Sequence, residues 1–183
     1  EPTSTNTPTA IPSLSVVINE VGWSGTAASS ADEWIELYNP GPQTINLDEW
    51  TLAANDKSPE ISLAGSISGN GFFVLERTND DTISNIPADL TYSGSLKNGG
   101  ESLQLLGPSG ETVDTANLDG GEWPGGTKSG GTPAYASMER IDPSSMDSDD
   151  NWSSNNGITT NGQAADGSAI NGTPGQTNSM LIP

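Results

Sequence analysis

The chain has no cysteine and no histidine among its 183 residues. The first absence excludes disulfide staples, thiolate metal sites and a thiol nucleophile, and the second removes the commonest general base and zinc ligand. Positive charge is nearly as scarce: Lys57, Arg77, Lys97, Lys128 and Arg140 stand against 24 acidic residues, for a net charge of −19. Such a chain repels phosphate backbones and anionic headgroups, so nucleic acid is not an expected partner. The acidic surplus reads first as a solubility device and second as an attraction for cations. No stretch approaches the roughly 20 apolar residues that span a bilayer, so membrane insertion is not expected.

What is abundant is turn chemistry. The 22 glycines and 13 prolines, with apolar residues at only 31%, favour short strands joined by many turns over helices. The length fits one domain with extra loops. Residues 1–13 hold three prolines among small hydroxylated side chains and read as an extended linker or stalk. The first residue is Glu1 rather than Met, which reads as a processed product or an excised fragment. Residues 14–178 form the expected domain and 179–183 a short tail.

Strand signals recur along that domain. Leu14, Val16 and Ile18 alternate with Ser15, Val17 and Asn19, and the aliphatic residues in both sets predict a central or covered strand with both faces partly covered. Next, Ile35 and Leu37 point one way while Trp34, Glu36 and Tyr38 point the other, until Asn39-Pro40-Gly41-Pro42 ends the run. Ile45, Leu47, Trp50 and Leu52 predict a third strand with a break near Asp48 and Glu49, and Gly71 to Arg77 a fourth. Residues 101–106 and 111–115 flank Gly107-Pro108-Ser109-Gly110 as a hairpin. Further strands are expected over 135–141 and near Asn151-Trp152, and residues 158–172 read as a long surface loop. Seven or eight short strands predict an all-β, two-sheet antiparallel sandwich with long Gly/Ser/Asn-rich loops.

Several segments taken together resemble a known family. Ile18-Asn19-Glu20-Val21, Asp32 through Pro40, and Leu47-Asp48-Glu49-Trp50-Thr51-Leu52 are similar to the opening of the lamin tail domain in its bacterial form. Leu96 through Leu105, Ser137-Met138-Glu139-Arg140, Asn151-Trp152 and Gly172-Thr173-Pro174-Gly175-Gln176-Thr177-Asn178 continue the likeness in order. The resemblance implies an immunoglobulin-like β-sandwich, found in bacteria as a module of secreted or surface proteins, often beside hydrolases or nucleases. It implies no nuclear lamin, because rod heptads and a prenylation signal are both absent, and it supplies no catalytic residues to carry over.

Candidate residues divide by type. Trp34 and Trp50 read as core or sheet-edge anchors in a chain with two phenylalanines. Glu20, Glu36 and Arg140 interrupt apolar strand patterns, so a buried ion pair or hydrogen bonds to loop backbone are expected there. Asp147, Asp149 and Asn151 place side-chain oxygens at alternate positions, half of an EF-hand-like calcium loop. Trp152 stands where that loop wants Gly, however, and Ile158 where it wants a bidentate Glu. A solvated acidic turn is the simpler reading, and no other cofactor is implied. Glu33, Glu36, Asp48, Glu49 and Glu122 offer too many pairings to mark a glycosidase. Trp23 and Trp123 are the candidate ligand-binding aromatics, Trp123 in the Gly-rich run 120–126, where packing against the sandwich is the simpler reading. The expectation is a non-catalytic binding, targeting or adhesion module, extracellular or on the cell surface, monomeric, with a protein or polysaccharide partner. A ligand-free spacer is the alternative, and a carboxylate-based hydrolase comes third.

Overall fold

The structure is a computed structural model that describes residues 12–181. Among these residues there are twelve strands, one 3-10 turn and no helix long and apolar enough to cross a membrane. In chain order the strands are β1 (Val17–Gly22), β2 (Trp34–Tyr38), β3 (Ile45–Asn46), β4 (Thr51–Ala54), β5 (Glu60–Ser62), β6 (Ser66–Ile67), β7 (Phe72–Arg77), β8 (Leu90–Tyr92), β9 (Leu103–Leu106), β10 (Thr112–Ala116), β11 (Met138–Arg140) and β12 (Trp152–Ser154). They build a six-stranded sheet in the order β12-β11-β1-β2-β7-β8, a four-stranded sheet β10-β9-β4-β5, and the small pair β3-β6. All neighbours run antiparallel except β7 and β8, which are parallel.

The core lies between the two larger sheets. Ile18, Val21, Ile35, Leu37, Phe73 and Leu75 from one sheet meet Leu52, Ala54, Leu103, Leu105 and Val113 from the other, with Leu47 and Trp50 beside them. A strict two-residue period would send Ile18 and Glu20 to the same face of β1. A bulge between them breaks that period, so Ile18 and Val21 both enter the core while Glu20 turns to the opposite face. The extra residue explains why both faces of this strand look apolar in the sequence. It also leaves the Ile18 N–H free of the ladder, and Asp114 Oδ2 accepts it at 2.8 Å.

The expected third strand is split into β3 and β4. Glu49 adopts φ 68° in the intervening turn, and Trp50 is buried beyond it. The hairpin β9-β10 forms as expected, with Gly110 at φ 80° supplying the left-handed residue of its turn.

Residues 158–172 are not a plain surface loop. Ala164 and Ile170 are buried, and with Trp34, Val74 and Ile83 they form a second apolar cluster on the outer face of the six-stranded sheet. Backbone bonds from Asn161 N to Gly172 O and from Ala164 N to Ser168 O, both 2.8 Å, fold the excursion onto itself. Its buried apolar residues are two isolated plugs in polar sequence, which is why no period betrays them. Order continues past the expected boundary at 178, since Ser179 donates to Glu139 through both its N–H (2.9 Å) and its hydroxyl (2.6 Å). The predicted linker, but for Pro12 and Ser13, lies outside the described residues.

Candidate functional site

Where β1 ends, β9 begins and β10 ends, three loops enclose an open depression of about 500 Å³. Trp23, Trp123, Asn98, Glu122, Thr127 and Lys128 are among its lining residues. Trp23 is buried, and its indole N–H donates to Gly125 O at 2.9 Å. Trp123 is half-buried, donates its N–H to Lys97 O at 2.7 Å, and lies 6.2 Å from Trp23, nearly parallel at 10°. A side-chain carbon on Gly126 would lie 2.3 Å from the Trp23 ring nitrogen, so only glycine lets the chain pass there. The two candidate aromatics are therefore stacked together: Trp23 supports, and Trp123 presents surface to the depression. Packing against the sandwich describes Trp123 as well, since it abuts the main core.

A different constellation occupies the outer face of the six-stranded sheet. Glu139, Glu20 and Glu36 stand opposite one another on β11, β1 and β2, and all three are fully buried. Residues 171–179 cross over them as a strap. Glu20 Oε1 accepts from Thr173 N–H at 2.8 Å and from the Ser137 hydroxyl. Glu36 accepts from Asn19 Nδ2 at 2.8 Å and from Gly175 N–H. Glu139 Oε1 accepts from Asn155 Nδ2 at 2.7 Å, and its other oxygen takes the two Ser179 donors. The Thr173 hydroxyl sits between two carboxyls, 3.0 Å from Glu20 Oε2 and 2.9 Å from Glu139 Oε1.

Among the described residues no lysine or arginine forms an ion pair with any of the three. Burial, reinforced by the charges of Glu36 and Glu139, pushes the Glu20 carboxyl well above the usual range; the Ser137 and Thr173 hydrogen bonds oppose this. Burial likewise raises Glu36 to about 8, against the hydrogen bonds from Gly175 and Asn19. On the same sheet Glu76 accepts from Thr82 and Ile83 N–H and is raised by burial to about 7.

Arg140 is buried as expected, but its ionic partner is neither Glu20 nor Glu36. It points through the sandwich to Asp114, 2.6 Å away on β10, and donates also to the carbonyls of Ile18 (2.8 Å), Thr115 (2.9 Å) and Ser145 (3.1 Å). The Trp152 ring lies 4.6 Å from its guanidinium carbon. Burial raises Asp114 to about 6 although Arg140 opposes the shift. Glu20 and Glu36 take the other expected course, hydrogen bonds to loop backbone. Trp34 and Trp50 are both buried, on opposite sides of the six-stranded sheet.

The acidic turn has its own explanation. Asp147 accepts from the Thr115 hydroxyl (2.9 Å), Asn117 N–H (3.2 Å), Leu118 N–H (3.0 Å) and Trp152 Nε1 (2.7 Å). Asn151 Oδ1 accepts from Asp142 N–H at 2.9 Å. Only Asp149, exposed at the start of the 3-10 turn Asp149–Asn151, stands clear. The alternation thus arises from a latch and a cap, and the oxygens of Asp147 and Asn151 meet donors of the chain itself. Among the described residues no group of three acidic side chains is arranged to hold a metal ion.

The carboxylates weighed for hydrolysis are scattered in role. Glu33 pairs with Arg77 at 3.1 Å and accepts from Leu96 N–H, Asp48 accepts from Gly65 N–H, and Glu122 is exposed at the depression. Sequence reasoning missed Glu139, Thr173, Asn178 and Asp114. All four fall within segments that carry the family likeness or the hairpin pattern, but no local pattern marks what they bond across 26 to 159 residues.

Two facing sheets with a mostly antiparallel topology and a core between them define an immunoglobulin-like β-sandwich. A family model for the lamin tail domain matches residues 9–119, and the chain belongs to that family. The match ends before β11, so β11, β12 and the strap are built by residues beyond it. No curated protein matches the chain.

Proposed function

We propose that this domain is a non-catalytic binding module of a larger secreted or cell-surface protein, and that its end-loop depression takes a neutral polysaccharide chain. The observation that carries the reading is Trp123, half-exposed over the depression and backed by the parallel ring of Trp23. A supported ring offers flat apolar area at little conformational cost, and the amide, carboxylate and ammonium groups of Asn98, Glu122 and Lys128 supply partners for sugar hydroxyls. The net charge of −19 disfavours a polyanionic glycan. A non-catalytic role accords with the family, whose members are immunoglobulin-like modules, and with the burial of Glu20, Glu36 and Glu139 beneath the strap, out of reach of a substrate.

Affinity electrophoresis against a panel of neutral polysaccharides tests the reading, run in calcium and in chelator. Retardation on one glycan is expected, and Trp123→Ala weakens it by about tenfold or more with the fold intact by circular dichroism. Chelator is expected to change nothing, because Asp147 and Asn151 already meet internal donors. Absence of retardation on every glycan overturns the glycan reading in favour of a spacer or protein-binding domain.

A further inference from the structure

The carboxyl row under the strap has a hydrogen count that closes only with a proton added. Thr173 Oγ1 carries one hydrogen, yet it lies close to two carboxyl oxygens, Glu20 Oε2 and Glu139 Oε1, with Asn178 Oδ1 farther off at 3.5 Å. If it donates to one, the other must donate to it. Glu139 already accepts from Asn155 and twice from Ser179. Glu20 Oε1 accepts two donors as well, whereas Glu20 Oε2 meets only the Thr173 hydroxyl. The proton therefore belongs on Glu20 Oε2, and the chain runs from Glu20 to the Thr173 hydroxyl to Glu139.

From this count we infer that residues 171–179 form a strap that stays docked while Glu20 keeps its proton and is released when alkali removes it. Every charged group facing the row is acidic: Glu20 on β1, Glu36 on β2, Glu139 on β11, and Asp89, whose charge also bears on Glu36. The strap, Asn-Gly-Thr-Pro-Gly-Gln-Thr-Asn-Ser, brings no ionisable side chain. Arg140 lies on the opposite side of β11, paired with Asp114. Loss of the Glu20 proton thus places a buried charge among acidic neighbours with no cation to offset it, and turns the Glu20–Thr173 contact into two facing acceptors unless Thr173 abandons Glu139. Beside anchors that do not titrate, such as Asn178 Nδ2 on the carbonyls of Asn19 and Arg140 and Ser137 N–H on Asn171 O, the strap is attached to the sheet face through these carboxyls, and this is the part of its attachment that yields. Thr173 N–H, Gly175 N–H and Ser179 N–H all end on them.

Hydrogen exchange read by NMR or mass spectrometry between pH 6 and pH 9, corrected for intrinsic rates, tests the strap. The amides of Thr173, Gly175 and Ser179 are compared with those of the β9-β10 hairpin. In the wild-type chain the strap amides are expected to lose protection by about tenfold per pH unit once the proton leaves, while the hairpin amides keep theirs. Glu20→Gln places an amide N–H where the acid O–H stood, so its strap is expected to stay protected through pH 9. Parallel loss in strap and hairpin overturns the inference, as does an unchanged wild-type strap. The same loss in Glu20→Gln as in wild type also overturns it, and the wild-type comparison alone decides the matter if that variant does not fold.

Discussion

At the residue scale, buried polar groups tie the strands together beside the apolar core. Arg140 ties β11 to β10 through one carboxylate and three carbonyls. Replacing it with Met leaves Asp114 buried and uncompensated, with Ile18 N–H as the remaining donor to its Oδ2. Arg140→Met is expected to cost about 3–5 kcal/mol, read as a lowered urea midpoint, and Asp114→Asn in the same chain recovers part of it. Unchanged melting would contradict the ion-pair assignment. Gly172 is held by contact rather than charge. A side-chain carbon there would stand 2.7 Å from Glu20 Oε1, 2.8 Å from the Trp34 ring and 3.0 Å from Ser137 Oγ. Gly172→Ala is expected to destabilise by about 1–3 kcal/mol through overpacking, measured by the same titration.

At the element scale, legibility followed the range of the interactions. β1, β2, β7 and the β9-β10 hairpin are readable because alternation and turn residues are local properties, and each element satisfies itself against a neighbour of the same pattern. β5, β6 and β8 are two or three residues long, set among Ser, Pro and Gly, and exist because β4, β3 and β7 offer edges to pair with. Nothing in Glu60-Ile61-Ser62 announces that partner. The excursion over 158–172 was misread for a related reason: Ala164 and Ile170 have value only against Trp34, on a face that sequence cannot reveal as needing a cover. The candidate aromatics were legible, but their stacking was not, since Trp23 and Trp123 are 100 residues apart. The carboxyl row is half visible: Glu20 and Glu36 stand out as charges in apolar strands, while nothing local to Glu139 marks it as their neighbour across the sheet.

At the scale of the whole molecule, the sandwich stores acidity. Folded values of about 8 for Glu36, about 7 for Glu76 and about 6 for Asp114 all lie above their ordinary values of 4.5, 4.5 and 3.8, chiefly through burial. A carboxyl raised on folding contributes stability that is fully present below its unfolded value and is lost as pH rises through its folded value. The window therefore runs from about 3.8, the ordinary value of Asp114, to about 8, and the outward repulsion of an acidic surface acts in the same direction. The melting temperature is expected to be higher at pH 5 than at pH 8.5, followed by calorimetry at constant ionic strength. A flat or rising profile would show that these carboxyls ionise freely in the fold.

The distance along the chain between Glu20 and Thr173, 153 residues, sets a schedule as well as a contact. During synthesis the first strand exists long before its cover does, and loop closure over that span must precede any gain from the contact. Until residues 171–179 arrive, the glutamates of β1 and β2 face water and can ionise. Completion of the fold is then a proton-uptake event, timed by the strap rather than by the core.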